Sequence, residues 1–254
     1  MINNLENKVA VVTGGYGYLG EAMTISLSKA GARVYVAARN KDKFNEKFQD
    51  FENIYFLFLD ISDDNSIKQA FKELYDKEKR IDILVNNAFF GSSNHPENIT
   101  IEEWKKGIDG GLTSVFSCIN EVFPYMKKNT AGKIINVSSM YGMVVPDLSI
   151  YEGREQFLNP PNYGVAKSGV LHLTKYYAMY LAKYNINVNA ISPGPFPPPR
   201  VQDDKGFLER LKNKNPMKRI GKPEDLQGIV LLLASDASSY ITGQNIAIDG
   251  GWTL

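Results

Sequence analysis

The run Val9-Ala10-Val11-Val12 leads straight into Thr13-Gly14-Gly15-Tyr16-Gly17-Tyr18-Leu19-Gly20, and no other stretch constrains the chain so much. Its β-branched, wholly apolar character reads as a buried strand closed by a glycine turn. A helix over Glu21 to Lys29 follows, with Ala22, Ile25 and Leu27 apolar and Gly31 as its stop. Strand, glycine turn and helix in that order are the context a dinucleotide site requires. Glycines allow the tight turn and let backbone amides approach a pyrophosphate, which sits against the positive helix end. Gly14, Tyr16, Gly17, Tyr18, Leu19 and Gly20 are the candidate contacts. The plainer alternative is a turn that only joins strand to helix.

Further apolar runs alternate with helical patterns. Strands are expected at Arg33 to Ala37, Ile54 to Leu59, Ile81 to Val85, Lys133 to Ser138, Val188 to Ile191 and Ile246 to Ile248. Asp63 or Asp64 caps a helix to about Lys79, and Thr100-Ile-Glu-Glu103 is a capping box opening a long helix towards Lys128. Gly107, Gly110 and Gly111 interrupt that helix at about 1 kcal/mol each, which points to a kink or a close backbone contact. Pro223 opens a helix running through Ala234. This alternation predicts an α/β fold: a doubly wound, parallel, seven-stranded, Rossmann-like sheet with helices on both faces. No linker or repeat divides it, so residues 1–254 read as one dinucleotide-binding domain.

Ligands in such sheets bind beyond the carboxyl ends of the strands. The glycine turn, Asp60, Asn87, Ser139 and Pro193-Gly194 all fall there and can line one crevice. At the end of the second strand stands Arg39, with no acidic residue beside it. An arginine there suits a ribose 2′-phosphate, which favours NADP over NAD. A merely solvated loop arginine is the alternative.

Asn162-Tyr163-Gly164-Val165-Ala166-Lys167 opens another helix, with Asn162 as its expected N-cap. Tyr163 and Lys167 then share one face, one turn apart. A lysine ammonium near a phenol favours the phenolate and makes the tyrosine a usable acid/base near neutrality. Taken alone, the pair is equally a chance surface neighbourhood.

Composition narrows the partners. A formal net charge of +1 gives no sign of a nucleic-acid partner, and no apolar run is long enough to span a bilayer. The N-terminal residues lack a signal-peptide pattern, and Cys118, the only cysteine, permits no intrachain disulfide. A cytoplasmic protein is expected, with Cys118 a buried structural thiol. His95 and His172 have no metal-ligand spacing around them, so no metal is expected.

Together these residues resemble the short-chain dehydrogenase/reductase family in its compact single-domain form. The resemblance spans essentially the whole chain. It rests on Thr13-Gly14-x-x-Gly17-x-x-Gly20, Asp60, Asn86-Asn87-Ala88, Ser139, Tyr163-x-x-x-Lys167, Asn189 with Ser192-Pro193-Gly194, and Asp249-Gly250-Gly251. It implies a nicotinamide cofactor, NADP or NAD, and hydride transfer between an alcohol and a carbonyl. Tyr163 would be the acid/base, Lys167 would lower its pKa and bind the nicotinamide ribose, and Ser139 would hydrogen-bond the substrate oxygen. Asp60 and Ile61 would approach the adenine, Asn87 and Ala88 the adenosine side, and Pro193, Gly194 and Phe196 the nicotinamide side. Homodimers or homotetramers built through the long helices are also implied.

Four positions depart from the family pattern. Tyr18 stands where compact members usually carry glycine, Phe89 replaces the glycine after Asn-Asn-Ala, and Pro198 occupies a usual threonine position. Gly111 stands where many members place an asparagine that holds a relay water for the lysine. Either solvent reaches Lys167 through the space this glycine leaves, or proton exchange slows.

The interval between Ser139 and Tyr163 is longer than is usual in the family. Its insert, Val145 to Pro161, is expected to arch over the site as part of a substrate loop at 140–162. Tyr151, Glu152 and Arg154 are its candidate polar contacts; Tyr151 and Arg154, with Ser139 and Tyr163, make up the expected substrate site, although loop charges are more often simply solvated. A substrate lid is expected at 195–217, holding Phe196, Pro197 to Pro199, Arg200 and Gln202 and then a short amphipathic helix around Phe207, Leu208 and Leu211; its charges again favour a polar substrate. Trp252 is expected at a surface or subunit contact. The insert resembles gluconate 5-dehydrogenase-like and sugar-modifying members, which implies carbohydrate metabolism and a small polar substrate: a sugar, sugar acid or activated sugar. Two alternatives remain open: an NAD-dependent reductase of a less polar ketone or acyl-thioester, and a non-catalytic NADP-binding redox sensor.

Overall fold

In the computed structural model, which describes residues 4–91 and 94–254, seven strands form one wholly parallel sheet in the order β3-β2-β1-β4-β5-β6-β7. The strands are β1 (Val9–Thr13), β2 (Arg33–Ala38), β3 (Ile54–Phe58), β4 (Ile83–Asn86), β5 (Gly132–Val137), β6 (Ile186–Pro193) and β7 (Asn245–Ile248). Helices cover both faces: α1 (Tyr18–Lys29), α2 (Lys41–Phe48), α3 (Asp64–Glu78), α4 (Ile101–Ile108), α5 (Ser114–Lys128), α6 (Pro161–Leu181), α7 (Pro199–Gln202), α8 (Lys205–Lys214) and α9 (Gln227–Ala234). The expected seven-stranded, doubly wound sheet is therefore present. Strand order reverses between β1 and β4, and a crevice opens there at the carboxyl ends.

Each sheet face has its own core. Ile67, Phe71, Val115, Ile119, Val170 and Leu181 bury α3, α5 and α6 on one side. Met23, Leu27, Val230 and Leu233 bury α1 and α9 on the other. Central strands sandwiched in this way are apolar along most of their length, and β1 and β4 are buried throughout, with polar Thr13 and Asn86 only at their carboxyl ends.

The long helix expected from Thr100 to Lys128 is not continuous. The capping box forms, but a π-helical turn at Asp109–Thr113 separates α4 from α5. The glycines explain why. A Cβ at Gly110 would lie 1.8 Å from the Phe90 carbonyl oxygen, and one at Gly107 would lie 2.1 Å from the Asn162 side chain. Backbone packs against this helix where any side chain would push it away. Asn162 is accordingly not a cap: Pro160 holds the N-cap position and Pro161 the first turn of α6. The Asn162 amide instead donates to the carbonyls of Glu103 (2.9 Å) and Trp104 (3.4 Å), so the start of α6 rides on α4.

Helix α2 was not expected, because only Phe44 and Phe48 of its residues are apolar. Its signal is the Asn40 cap, whose side chain accepts from the Lys43 amide at 2.9 Å. Trp252 is not at a surface. It is buried in a small cluster with Tyr141, Tyr151, Val201, Phe207 and Leu211 that joins the insert to α7 and α8. No helix among the described residues is long and apolar enough to cross a membrane.

Candidate active site

The turn after β1 is built as its glycines suggest. Gly14 adopts φ +63°, a left-handed conformation that glycine reaches without strain, and a Cβ at Gly20 would sit 2.4 Å from the Gly14 carbonyl. Gly17 caps α1 with no side-chain hydrogen bond, leaving the first-turn amides without intrahelical acceptors at a positive helix end. The turn is held against β4 by Thr13. Its hydroxyl accepts from the amides of Asn87 and Ala88, both at 3.0 Å, and the Asn87 side chain donates back to the Thr13 carbonyl at 2.9 Å. A cavity of about 350 Å³ lies beside this turn, lined by Gly14, Tyr16, Gly17, Tyr18, Leu19, Arg39, Asp60, Ile61, Asn87 and Ala88. These residues were all expected at the pyrophosphate and adenosine, and the chain brings them together.

Arg39 lies 3.7 Å from the Asp60 carboxylate. Burial pushes that carboxyl up, but hydrogen bonds from Ser62 and the nearby guanidinium outweigh it and hold Asp60 below its ordinary value. Arg39 is mostly exposed, so its donors are available at the rim. The exposed amide-rich turn, the bare helix end and this cation fit an adenine dinucleotide with a 2′-phosphate.

A second cavity, of about 590 Å³, shares Leu19, Asn87 and Phe89 with the first. Ser139, Tyr163 and Lys167 line it, as do Tyr151, Pro193, Gly194, Phe196 and Pro198. Ser139 follows β5, accepts from the Tyr141 amide at 3.1 Å, and hydrogen-bonds Tyr163. Lys167 is 4% exposed, and its amine donates to the Val137 carbonyl at 2.8 Å. Ser138 ties its hydroxyl to the Lys167 carbonyl at 2.8 Å, so β5 and α6 are pinned on both sides of the pair.

The electrostatics differ from the sequence expectation. Burial pushes the Tyr163 phenol above its ordinary value, and the Ser139 hydrogen bond offsets only part of that. Burial also pushes Lys167 down to about 8. The lysine therefore does not pull the phenol towards neutrality here. Its amine is directed at the Val137 carbonyl, and desolvation governs both groups. What the pair offers is a protonated phenol and an amine that exchanges its proton near pH 8.

Phe89 and Gly111 are explained together. The Phe89 ring meets Tyr163 edge-on at 5.3 Å between centroids, and the Lys167 amine lies 5.7 Å from the Phe89 centroid. A Cβ at Gly111 would lie 2.8 Å from the Ala166 Cβ and 3.3 Å from the Phe89 ring. The space directly beside Gly111 is thus taken up by Ala166 and the Phe89 ring, which, of the two outcomes open at this position, goes against solvent entry at that point.

The insert is folded, and Tyr151 and residues 156–160 of it line the cavity. It forms short 3-10 turns at Leu148–Tyr151 and Glu155–Phe157 that pack on α8. Tyr151 reaches the cavity but shares its hydroxyl with Tyr141. Arg154 does not line the cavity: it grips Asp204, the N-cap of α8, and donates to the Gly153 carbonyl at 2.6 Å. Glu152 contributes its carbonyl, which accepts from Arg210 at 2.6 Å. Gln156 and Asn159, which the sequence did not single out, also stand on the wall, together with the lid residue Arg200. Gln202, the other polar lid residue, donates to the Tyr18 hydroxyl at 3.2 Å and joins α7 to the glycine turn. Cys118 is buried, its thiol pushed up to about 12, and is inert. No metal-ligating cluster occurs among the described residues.

A family model described as enoyl-(acyl carrier protein) reductase matches residues 18–253. The chain is 35% identical over 255 residues to the 3-oxoacyl-(acyl carrier protein) reductase FabG of Thermotoga maritima, covering 98% of this chain and 99% of that protein. It is similar in structure to a gluconate 5-dehydrogenase from Burkholderia cenocepacia J2315 in complex with NADP and tartrate: TM-score 0.89, 27% identity, 99% of this chain and 98% of that one. A short chain dehydrogenase from Leptospira borgpetersenii with bound NAD+ gives TM-score 0.89 and 32% identity, over 100% and 95% of the two chains.

Proposed function

Because the chain belongs to the short-chain dehydrogenase/reductase family of NAD(P)-dependent oxidoreductases, we propose that it interconverts a small polar secondary alcohol and its carbonyl, in a sugar, sugar acid or activated sugar. One observation carries this reading. The cavity over Ser139, Tyr163 and Lys167 is roofed by the insert and α7, and Gln156, Asn159 and Arg200 give it polar walls. A nicotinamide dinucleotide supplies or accepts the hydride, held by the glycine turn, Asn87, Lys167 and the Pro193-Gly194 turn. Arg39 makes NADP the preferred form.

The chain's own residues handle the proton. In reduction the Tyr163 hydroxyl donates to the developing alkoxide while Ser139 hydrogen-bonds the same oxygen. In oxidation the same phenol must first be deprotonated and then takes the alcohol proton. Lys167, with a pKa of about 8, resupplies or removes that proton near working pH. Phe89 packs edge-on against Tyr163, so the phenol sits beside an apolar ring, which strengthens these interactions. Exposed Phe116, Tyr176 and Met179 on α5 and α6 suit a homodimer or homotetramer.

Fluorescence titration with NADPH and NADH, followed by turnover across sugar acids, keto-sugars and polyols, tests the reading. Tight NADPH binding with turnover of a polar compound is the expected result. A second reading, a 3-oxoacyl-thioester reductase, is favoured by the apolar part of the same wall, Met140, Phe157 and Phe207, and by the relative from Thermotoga maritima. Turnover confined to acyl thioesters would establish it instead.

A further inference from the structure

Three arginines surround the roof of the cavity, and two of them are committed. Arg154 on the insert grips Asp204. Arg210 on α8 donates to the carbonyls of Ile150 (3.0 Å) and Glu152 (2.6 Å). Both clamp the insert onto α8. The third, Arg200 in the first turn of α7, lines the cavity and has no hydrogen-bond or ion-pair partner among the described residues.

The charge of the cavity is one-sided. Its lining holds two cations, Lys167 and Arg200, and no aspartate or glutamate. Lys167 is buried beneath Tyr163 and directed at Val137, which leaves Arg200 as the uncommitted charge. A guanidinium presents five donors in a planar fork that matches a carboxylate with two parallel hydrogen bonds. Of the acidic residues nearby, Asp204 is taken by Arg154 and Asp147 by Lys214 at 2.9 Å, while Asp203, the C-cap of α7, lies outside the cavity lining and makes no ion pair with Arg200.

We propose that the substrate is a hydroxy or oxo acid whose carboxylate is received by Arg200 while its reacting carbon–oxygen group lies on Ser139 and Tyr163. This rests on the polar-carbonyl reading above and names its substrate class. Gln156 and Asn159, on the insert side, line the same cavity and would supply neutral hydrogen-bonding groups for further hydroxyls.

The test compares matched pairs: an aldonic acid with its neutral polyol or ketose, and a sugar phosphate as a third arm, for the wild-type chain, Arg200→Gln and Arg200→Lys. The wild type is expected to prefer the acid. In Arg200→Gln the acid-over-neutral ratio of kcat/KM falls roughly 10- to 100-fold, chiefly through KM, with Arg200→Lys between the two. NADPH affinity, read by fluorescence, stays unchanged and reports an intact fold. An acid-over-neutral ratio equal to the wild type's in Arg200→Gln overturns the proposal, as does a wild-type preference for the neutral compound or the phosphate. Those results leave the polar-carbonyl reading standing. Turnover only of a 3-oxoacyl thioester overturns both.

Discussion

Lys167 places a stability cost at the heart of the site, and replacing it measures that cost. Its amine is 4% exposed and its pKa is pushed from 10.5 to about 8 by burial. Moving a lysine that far costs the folded state about 3 kcal/mol wherever both states are protonated, which is below pH 8. Between about 8 and 10.5 the unfolded chain keeps a proton on this lysine that the folded chain has released. Stability therefore rises with pH across that window, by about 2 kcal/mol from pH 7 to 9.5 for this one group. In Lys167→Met that contribution vanishes. The methionine fills similar volume but leaves the Val137 carbonyl without its donor, at a cost of about 1–3 kcal/mol. At pH 7 the variant should thus lie from equal to about 2 kcal/mol above the wild type in stability, while losing turnover almost completely.

The assay is urea unfolding of nucleotide-free protein at pH 7 and 9.5, because the difference between the two pH values cancels the carbonyl term. The wild type should gain about 2 kcal/mol more than Lys167→Met over that interval. Parallel pH dependence in the two proteins would refute the reasoning, since it would mean that Lys167 keeps an ordinary pKa despite its burial. A variant destabilised by more than about 3 kcal/mol at both pH values would show that the amine holds β5 to α6 instead of straining it.

The raised phenol of Tyr163 predicts that alcohol oxidation, which needs the phenolate, climbs with pH well above neutrality, while carbonyl reduction is fastest where the phenol is protonated; kcat/KM profiles in both directions check this. Arg39→Ala should weaken NADPH binding roughly 10- to 100-fold and leave NADH binding within a few-fold, as paired titrations would show. Gly111→Asn should lower stability by about 1–3 kcal/mol and give no gain in turnover, because its Cβ would press on Ala166; an increase of orders of magnitude would mean that the native relay is defective. Gly110→Ala, with its Cβ 1.8 Å from the Phe90 oxygen, should be worse still and fail to give folded protein on expression.

What the sequence reveals and conceals here follows from how far apart the interacting groups lie. Strand ends were legible because a parallel strand buried on both faces is mostly apolar, so the polar residues that close each run mark the crevice: Thr13 and Asp60 come directly after theirs, and Asn87 and Ser139 come one place after the buried Asn86 and Ser138. Local caps were legible for the same reason, as the Thr100–Glu103 box shows. Asn162 misled because a good capping residue next to Pro161 looks local, yet its amide is spent on carbonyls nearly sixty residues earlier. The pKa of Tyr163 was beyond reach in a different way. Spacing put Lys167 one turn away, but burial and the Val137 carbonyl, neither visible in a four-residue interval, decide which proton is held. Arg154 and Arg200 make the point most sharply. Both are arginines in variable loops, and sequence gave more reason to choose Arg154, which sits in the unusual insert. Only the fold shows that Asp204 lies across from Arg154 and that no described residue pairs with Arg200. A charged side chain declares itself by the partner it lacks, and a missing partner is a property of the assembled crevice, so the residues that choose the substrate are the last a linear reading can recover.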